Sequence, residues 1–272
     1  MVPAGIPDGM TVVLHPSLPF APWADPRCRR LPGVMPLAMD DWLQVYAAYG
    51  GQMALRDRLI AERPDEVHAL WPDAAPAASE LLQGVLGRLP GLGFGAADGQ
   101  WLRPDGARVT VDAARPLMTL GRLLQNDFCI LQNDGSGEHR LTGAILCFPA
   151  GWLLHQKLGM PLARMHAPIS RYSDDTARRV QRLMDAVRPE APLWRANAHR
   201  SRSPLFNPLP EGHPHDKAHL PMLYVRSERQ CLIRLPLTRA VVFTIHTYLV
   251  RLEDLTSEQA ATLAAHPVHS SP

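Results

Sequence analysis

Residues 147–172, CFPAGWLLHQKLGMPLARMHAPISRY, set His155, Lys157, His166 and Arg171 into an apolar run. His166 follows an apolar helical segment and precedes Ala167-Pro168. Pro168 restricts Ala167 to extended backbone and ends the helix there. The imidazole therefore hangs at a fixed helix end beside apolar walls. Such a place lets one neutral nitrogen bind a metal centre, above all a planar apolar one such as heme. The bland alternative is a histidine that caps the carbonyls of the last turn. His155 reads differently. It lies in the middle of a helical turn whose buried face Leu153, Leu154 and Leu158 supply without it, so it is free to point to solvent.

Several cations nearby suit a heme with two propionates. Lys157 is one of only two lysines, with Lys217, and Arg171 and Tyr172 follow His166 closely. Arg195 stands in LWRANAH. Arginine pairs a carboxylate bidentately, and tyrosine donates a hydroxyl bond; each cation also reads as an ordinary surface charge. A rival cluster, His213, His215 and His219 in HPHDKAH, has zinc-compatible residues but sits among prolines, without the rigid support a metal site needs. No Gly-x-Ser-x-Gly elbow, phosphate-binding Walker loop or HExxH occurs. GLGFGAADG does not match a dinucleotide loop, because no strand precedes it and no helix follows it closely.

The elements that must hold these residues follow from periodicity. Residues 1–38 are proline-rich and irregular. Asp40-Asp41 open a helix with Trp42, Val45, Tyr46, Tyr49 and Met53 on one face, weakened by Gly50-Gly51 and stopped at Pro64. A second helix is expected over 77–88. DFCILQN (127–133), the turn DGSG and EHRLTGAILCF (138–148) form a hairpin, as do ERQCLIRL (228–235), PLTR and AVVFTIHTYLV (240–250). A helix begins at Ser173, with Asp174 and Asp175 in its first turn and Pro189 beyond its end. A final helix opens at Thr256. Helices, hairpin, helices, hairpin, helix is an α+β order around an antiparallel sheet, not a run of βαβ units. The division expected is an irregular segment 1–38, one domain over 39–252 and a helical tail over 253–272.

Composition narrows the classes. Net charge is +2 over 272 residues, and no Lys/Arg run marks a nucleic-acid partner. The 46% hydrophobic content suffices for a core. No apolar run reaches the ~18 residues of a membrane span, and the first twenty residues lack the layout of a signal peptide. Cys28, Cys129, Cys147 and Cys231 form no CxxC pair and read as buried free thiols. A reduced, cytoplasmic protein is the simplest expectation.

LGRLLQNDFCILQ, LCFPAGWLLHQKLGMPLARMHAPI, PLWRANAH and RSERQCLIRLPLTRAVVFTIHTYLV together resemble the alpha-subunit family of heme-dependent oxidative N-demethylases, and GVMPLAMDDWLQVYAAYGGQMALRDRLI resembles its N-terminal helix. The likeness covers most of residues 31–252. It implies a PAS-like fold with a b-type heme and its iron. It also implies monooxygenase chemistry: dioxygen-dependent removal of a methyl group from a small secondary amine, with release of formaldehyde. Electrons would come from separate flavin and iron–sulfur reductase subunits, since this chain carries no motif for either cofactor. His166 matches the His-x-Pro position and is the expected axial ligand. Trp152, Arg171, Arg195 and Arg229 are expected around the cofactor, and Lys157, Asn197 and Glu228 in catalysis. The sequence departs from the family pattern at Asn126, at Ala198-His199 and in HAPISRY. A non-catalytic PAS-like module that senses or stores heme or a small ligand is the second expectation. The absence of any appended signalling domain or coiled-coil linker favours the first.

Overall fold

The computed structural model describes residues 12–30, 32–133, 135, 137–165, 174–207 and 221–268, without the side chains of residues 163, 174 and 176. His166, Arg171, Tyr172 and the histidines at 213, 215 and 219 lie outside the described residues. The strands are β1 (Met35–Pro36), β2 (His68–Leu70), β3 (Gly95–Ala97), β4 (Gln100–Leu102), β5 (Arg108–Thr110), β6 (Asp127–Asn133), β7 (His139–Ile145), β8 (Leu193–Ser201), β9 (Tyr224–Arg234) and β10 (Val241–Arg251). The helices are α1 (Tyr49–Glu62), α2 (Pro64–Val67), α3 (Ala75–Leu86), α4 (Pro116–Leu123), α5 (Leu154–Lys157), α6 (Leu162–Met165), α7 (Asp174–Ala186) and α8 (Ser257–Ala265). The fold is α+β. Seven strands form one antiparallel sheet in the order β1-β8-β9-β10-β6-β7-β2, and β3-β4-β5 form a small second sheet.

Both expected hairpins form, β6–β7 and β9–β10, because alternation buries one side chain in two on each face of a sheet. Each face meets a different layer. On the core face Phe128, Ile130, Ile145, Cys231, Ile233 and Val242 join α1, α3 and α4 in the largest apolar cluster. Helix α4 lies so close that a Cβ on Gly121 would meet Ile145 Cγ1 at 2.6 Å. On the other face Cys129, Leu131, Leu141, Leu232, Val241 and Ile245 pack with Leu154, Leu162, Met184 and Val187 from the segment between β7 and β8. The four cysteines are free and buried, as expected.

Three expectations differ. The first long helix does not start at Asp40. Met39–Asp41 make a 3-10 turn, and α1 begins at Tyr49 after Ala48 takes a left-handed φ of 68°. Trp42 is drawn instead to the sheet, donating Nε1–H to Thr244 Oγ1 at 3.3 Å. Gly50-Gly51 therefore open the helix rather than interrupt it, and Gly51 comes close to Val13. GLGFGAADG is not only a loop: it carries β3, and Asp98-Gly99, both at positive φ, turn the chain into β4. Finally, 193–201, where no element was expected, is a nine-residue strand.

Candidate functional site

Antiparallel register aligns side chains into rows across β8, β9 and β10. Leu193, Leu232 and Phe243 form the first row on the face beneath α5–α7, and Arg195, Gln230 and Ile245 the second. Asn197, Glu228 and Thr247 form the third, and His199, Arg226 and Leu249 the fourth. The face thus grades from apolar to polar over four rows. Three residues expected from the sequence, Arg195, Asn197 and Glu228, are brought together here from two strands.

The polar groups are chained. Arg195 donates Nη1–H to Gln230 Oε1 at 3.0 Å, and Gln230 donates Nε2–H to Glu228 Oε2 at 2.9 Å. Arg226 approaches Glu228 Oε1 with Nε at 3.5 Å and donates to the carbonyls of Phe206 and Phe148 at 3.0 and 2.5 Å. Arg226 is buried, and burial pushes its guanidinium down while the charges of Glu228 and Asp127 oppose that. Burial likewise pushes Arg195 down, with Glu228 opposing. His199 is pushed down to about 4 by burial, so its imidazole is neutral near pH 7.

Among the described residues, three atoms in these rows are buried without a hydrogen-bond partner: Arg195 Nε, Asn197 Oδ1 and Thr247 Oγ1. A desolvated polar atom left unpaired costs about 1–3 kcal/mol. A donor, an acceptor and a hydroxyl left bare in adjacent rows mark a surface that something polar meets.

The cover is held from β7 outward. Asp127 accepts the backbone amides of Cys147 and Phe148 at 2.7 and 3.0 Å, which fixes where the chain leaves the sheet. Trp152, half-buried, and Leu158 and Met165 pack onto the apolar rows. Gly159 turns the chain at a φ of +78°, close against Trp71, and its amide donates to Leu141 O at 2.8 Å. Lys157 donates Nζ–H to Met165 O at 2.7 Å, tying α5 to the last described residue before His166. Partial burial pushes the Lys157 ammonium down. His155 is exposed, as expected.

Arg229 stands apart from the other expected residues. Odd and even positions of β9 face opposite ways, and Arg229 lies on the core face. It donates to the carbonyls of Trp42 and Asp41 at 3.1 and 2.6 Å and stacks over Trp194. The structure ties it to the N-terminal segment and does not bring it together with Arg195, Asn197 and Glu228. Arg226, Gln230 and Thr247 were not singled out in the sequence. The readable signal was an unbroken polar run, RSERQ, leading into the apolar CLI.

This surface suits a planar apolar group with a charged edge. The floor is aliphatic, the rim carries guanidinium and carboxylate, and neutral imidazole is at hand. Burial pushes the Cys129 thiol on the floor well up. Among the described residues no group of three or more His, Cys, Asp or Glu gathers to hold an ion by itself; a heme iron asks for only one axial side chain. Among the same residues no helix is long and apolar enough to cross a membrane.

Residues 33–271 match the family model described as Haem-dependent oxidative N-demethylase, alpha subunit-like. The chain belongs to this family, whose description names heme dependence and an alpha subunit.

Proposed function

We propose that this chain is the oxygenase component of a heme-dependent N-demethylase, binding one b-type heme between the apolar rows of the sheet and the segment between β7 and β8. The observation that carries the reading is the unpaired set on the polar rows, Asn197 Oδ1 and Thr247 Oγ1 beside the Glu228 carboxylate. The strand order β7-β6-β10-β9-β8, with α5–α7 inserted between β7 and β8, supports a PAS-like reading. His166 is the residue that would hold the heme iron. Trp152 and Leu154 form an apolar wall, and Arg171 serves the charged rim.

When bound, heme supplies dioxygen activation with two electrons from separate flavin and iron–sulfur reductase subunits. The protein does the rest. Glu228 and Asn197 accept the N–H groups of a small secondary ammonium and orient its methyl group. Gln230 and Arg226 hold the Glu228 carboxylate in place. Leu154, Leu158 and Leu162 exclude water from above. Lys157 holds the carbonyl of Met165, and through it the approach of the chain to His166. Four free cysteines suit a reducing cytoplasm.

The test is a spectrum. Protein expressed with heme supply is expected to show a Soret band that His166→Ala removes or shifts and His155→Ala leaves alone. With a reductase present it should release formaldehyde from a small N-methyl secondary amine, and without one it should not. No Soret band in the wild type would end the reading. A Soret band without turnover, with or without reductase, would favour a sensor.

A further inference from the structure

Arg195 makes no direct ion pair among the described residues, and the Glu228 charge acts on it only from beyond Gln230. Among the described residues its side chain donates to a neutral carboxamide, Gln230 Oε1, and its Nε is buried with no partner. The nearby buried guanidinium, Arg226, differs in having two carbonyls and the Glu228 carboxylate. The polar rows therefore hold two guanidiniums, Arg195 and Arg226, against one carboxylate, Glu228, with His199 neutral beside them. A bare dialkylammonium would bring a third positive charge into this half-buried surface. Burying an uncompensated charge is costly, and the cost falls sharply when the ligand brings its own opposite charge.

Spacing says where that opposite charge belongs. Gln230 bridges Arg195 and Glu228 with its own two ends, 3.0 Å on one side and 2.9 Å on the other. The cation and the carboxylate thus stand one carboxamide apart on one face. That separation suits the two ends of a single small zwitterion: ammonium to Glu228 and Asn197 Oδ1, carboxylate to Arg195. We infer that the substrate is an N-methyl amino acid rather than a simple dialkylamine, with Arg195 as the residue that selects its carboxylate. The inference rests on the demethylase reading above and narrows its substrate class.

The reaction balances as follows. One oxygen atom of O2 enters a C–H bond of the N-methyl group, the resulting N–CH2OH loses its C–N bond, and formaldehyde and the primary amino acid leave. The second oxygen atom leaves as water with two protons and the two electrons from the reductase. Arg195 changes no bond in this; it holds the carboxylate. A heme propionate is the rival carboxylate. It leaves the rim of the macrocycle, whereas the amine's methyl group must reach the centre. Arg195 and Glu228, held by one glutamine, fit one small molecule better than two such distant points.

The experiment compares N-methylglycine, N-methylglycinamide and dimethylamine, titrated into the heme-loaded protein by calorimetry and by the ferric heme spectrum. N-methylglycine is expected to bind about ten- to a hundredfold more tightly than its amide, the worth of one bond to a charged group. Arg195→Gln should bring the two ligands to nearly equal affinity with heme content retained, and Arg195→Lys should keep part of the preference. Equal affinity for acid and amide in the wild type overturns the inference without needing any variant. So does an Arg195→Gln protein that sheds heme yet keeps the acid preference, since Arg195 would then serve a propionate. Neither result touches the demethylase reading, which falls only if the wild type takes up no heme or demethylates no amine.

Discussion

Asp127 meets Arg56 at 2.7 Å and also takes the amides of Cys147 and Phe148, whereas Arg195, among the described residues, donates to a neutral carboxamide. Arg56 in turn donates to the carbonyls of Gly121 and Gln125 and lies over the Phe148 ring, leaving only Nη2 without a bond. Both regions bury charge against the same sheet. In the first, carboxylate, guanidinium and backbone close on one another and join α1, α4, β6 and the exit from β7. In the second, donors and acceptors remain open in adjacent rows. A closed network fixes chain geometry, and an open one holds its shape for something that arrives later. The contrast separates a buried charge that builds the fold from one that waits for a ligand.

The largest effect expected from breaking this contrast is in the closed network. Asp127→Asn leaves Arg56 as an uncompensated buried cation and should cost about 3–5 kcal/mol in urea unfolding. A loss below about 1 kcal/mol would mean that the two regions do not differ in kind.

Acid should act next, and on both regions. Burial pushes His246, beside the closed network, down to about 3, and His15 and His199 down to about 4. These imidazoles are neutral when folded. Below about pH 6.5 the unfolded chain takes up protons that the folded one does not, so stability falls as pH drops from 6.5 toward 4. Each group contributes on the order of 1.4 kcal/mol per pH unit within that window. His246→Phe keeps the stack on Tyr248, 4.6 Å away, and should flatten the profile by its share. A melting temperature that holds steady from pH 7 to 4.5 would contradict the burial of these rings.

The smallest effect concerns the cover over the open rows. Lys157→Met removes the bond to Met165 O and should cost about 1 kcal/mol. Amide exchange over 159–165 should quicken while the β9 and β10 amides stay protected. Equal change in both would show that the cover and the sheet open as one unit.

Local rules made much of this legible. Alternation and turn residues located β6–β7 and β9–β10, and the Thr256 start is a capping box in which Gln259 answers the cap. His155 at the surface followed from three leucines that bury the turn without it. Strand β8 escaped for a definable reason. Its site-face residues, Arg195, Asn197 and His199, are polar, and its core-face residues Ala196 and Ala198 are small, so no apolar stripe announces it. The early start expected for α1 failed because Trp42 gains more from the sheet, where it is almost fully buried, than from a helix turn.

Sequence by itself determined the two antiparallel hairpins, the free cysteines and the types of residue that carry charge into apolar strands. It also placed Glu228 on the opposite face from Arg229, had period two been applied to RSERQ. Only the tertiary structure decided which of those faces looks at α5–α7 and which at α1 and α4. It alone set Asn197 against Glu228 and Arg195 against Gln230, through pairings thirty-one and thirty-five residues apart in the chain. Period is a local property of the backbone. The register between distant strands is set by the burial of whole faces, and that is settled only when every layer has found its partner.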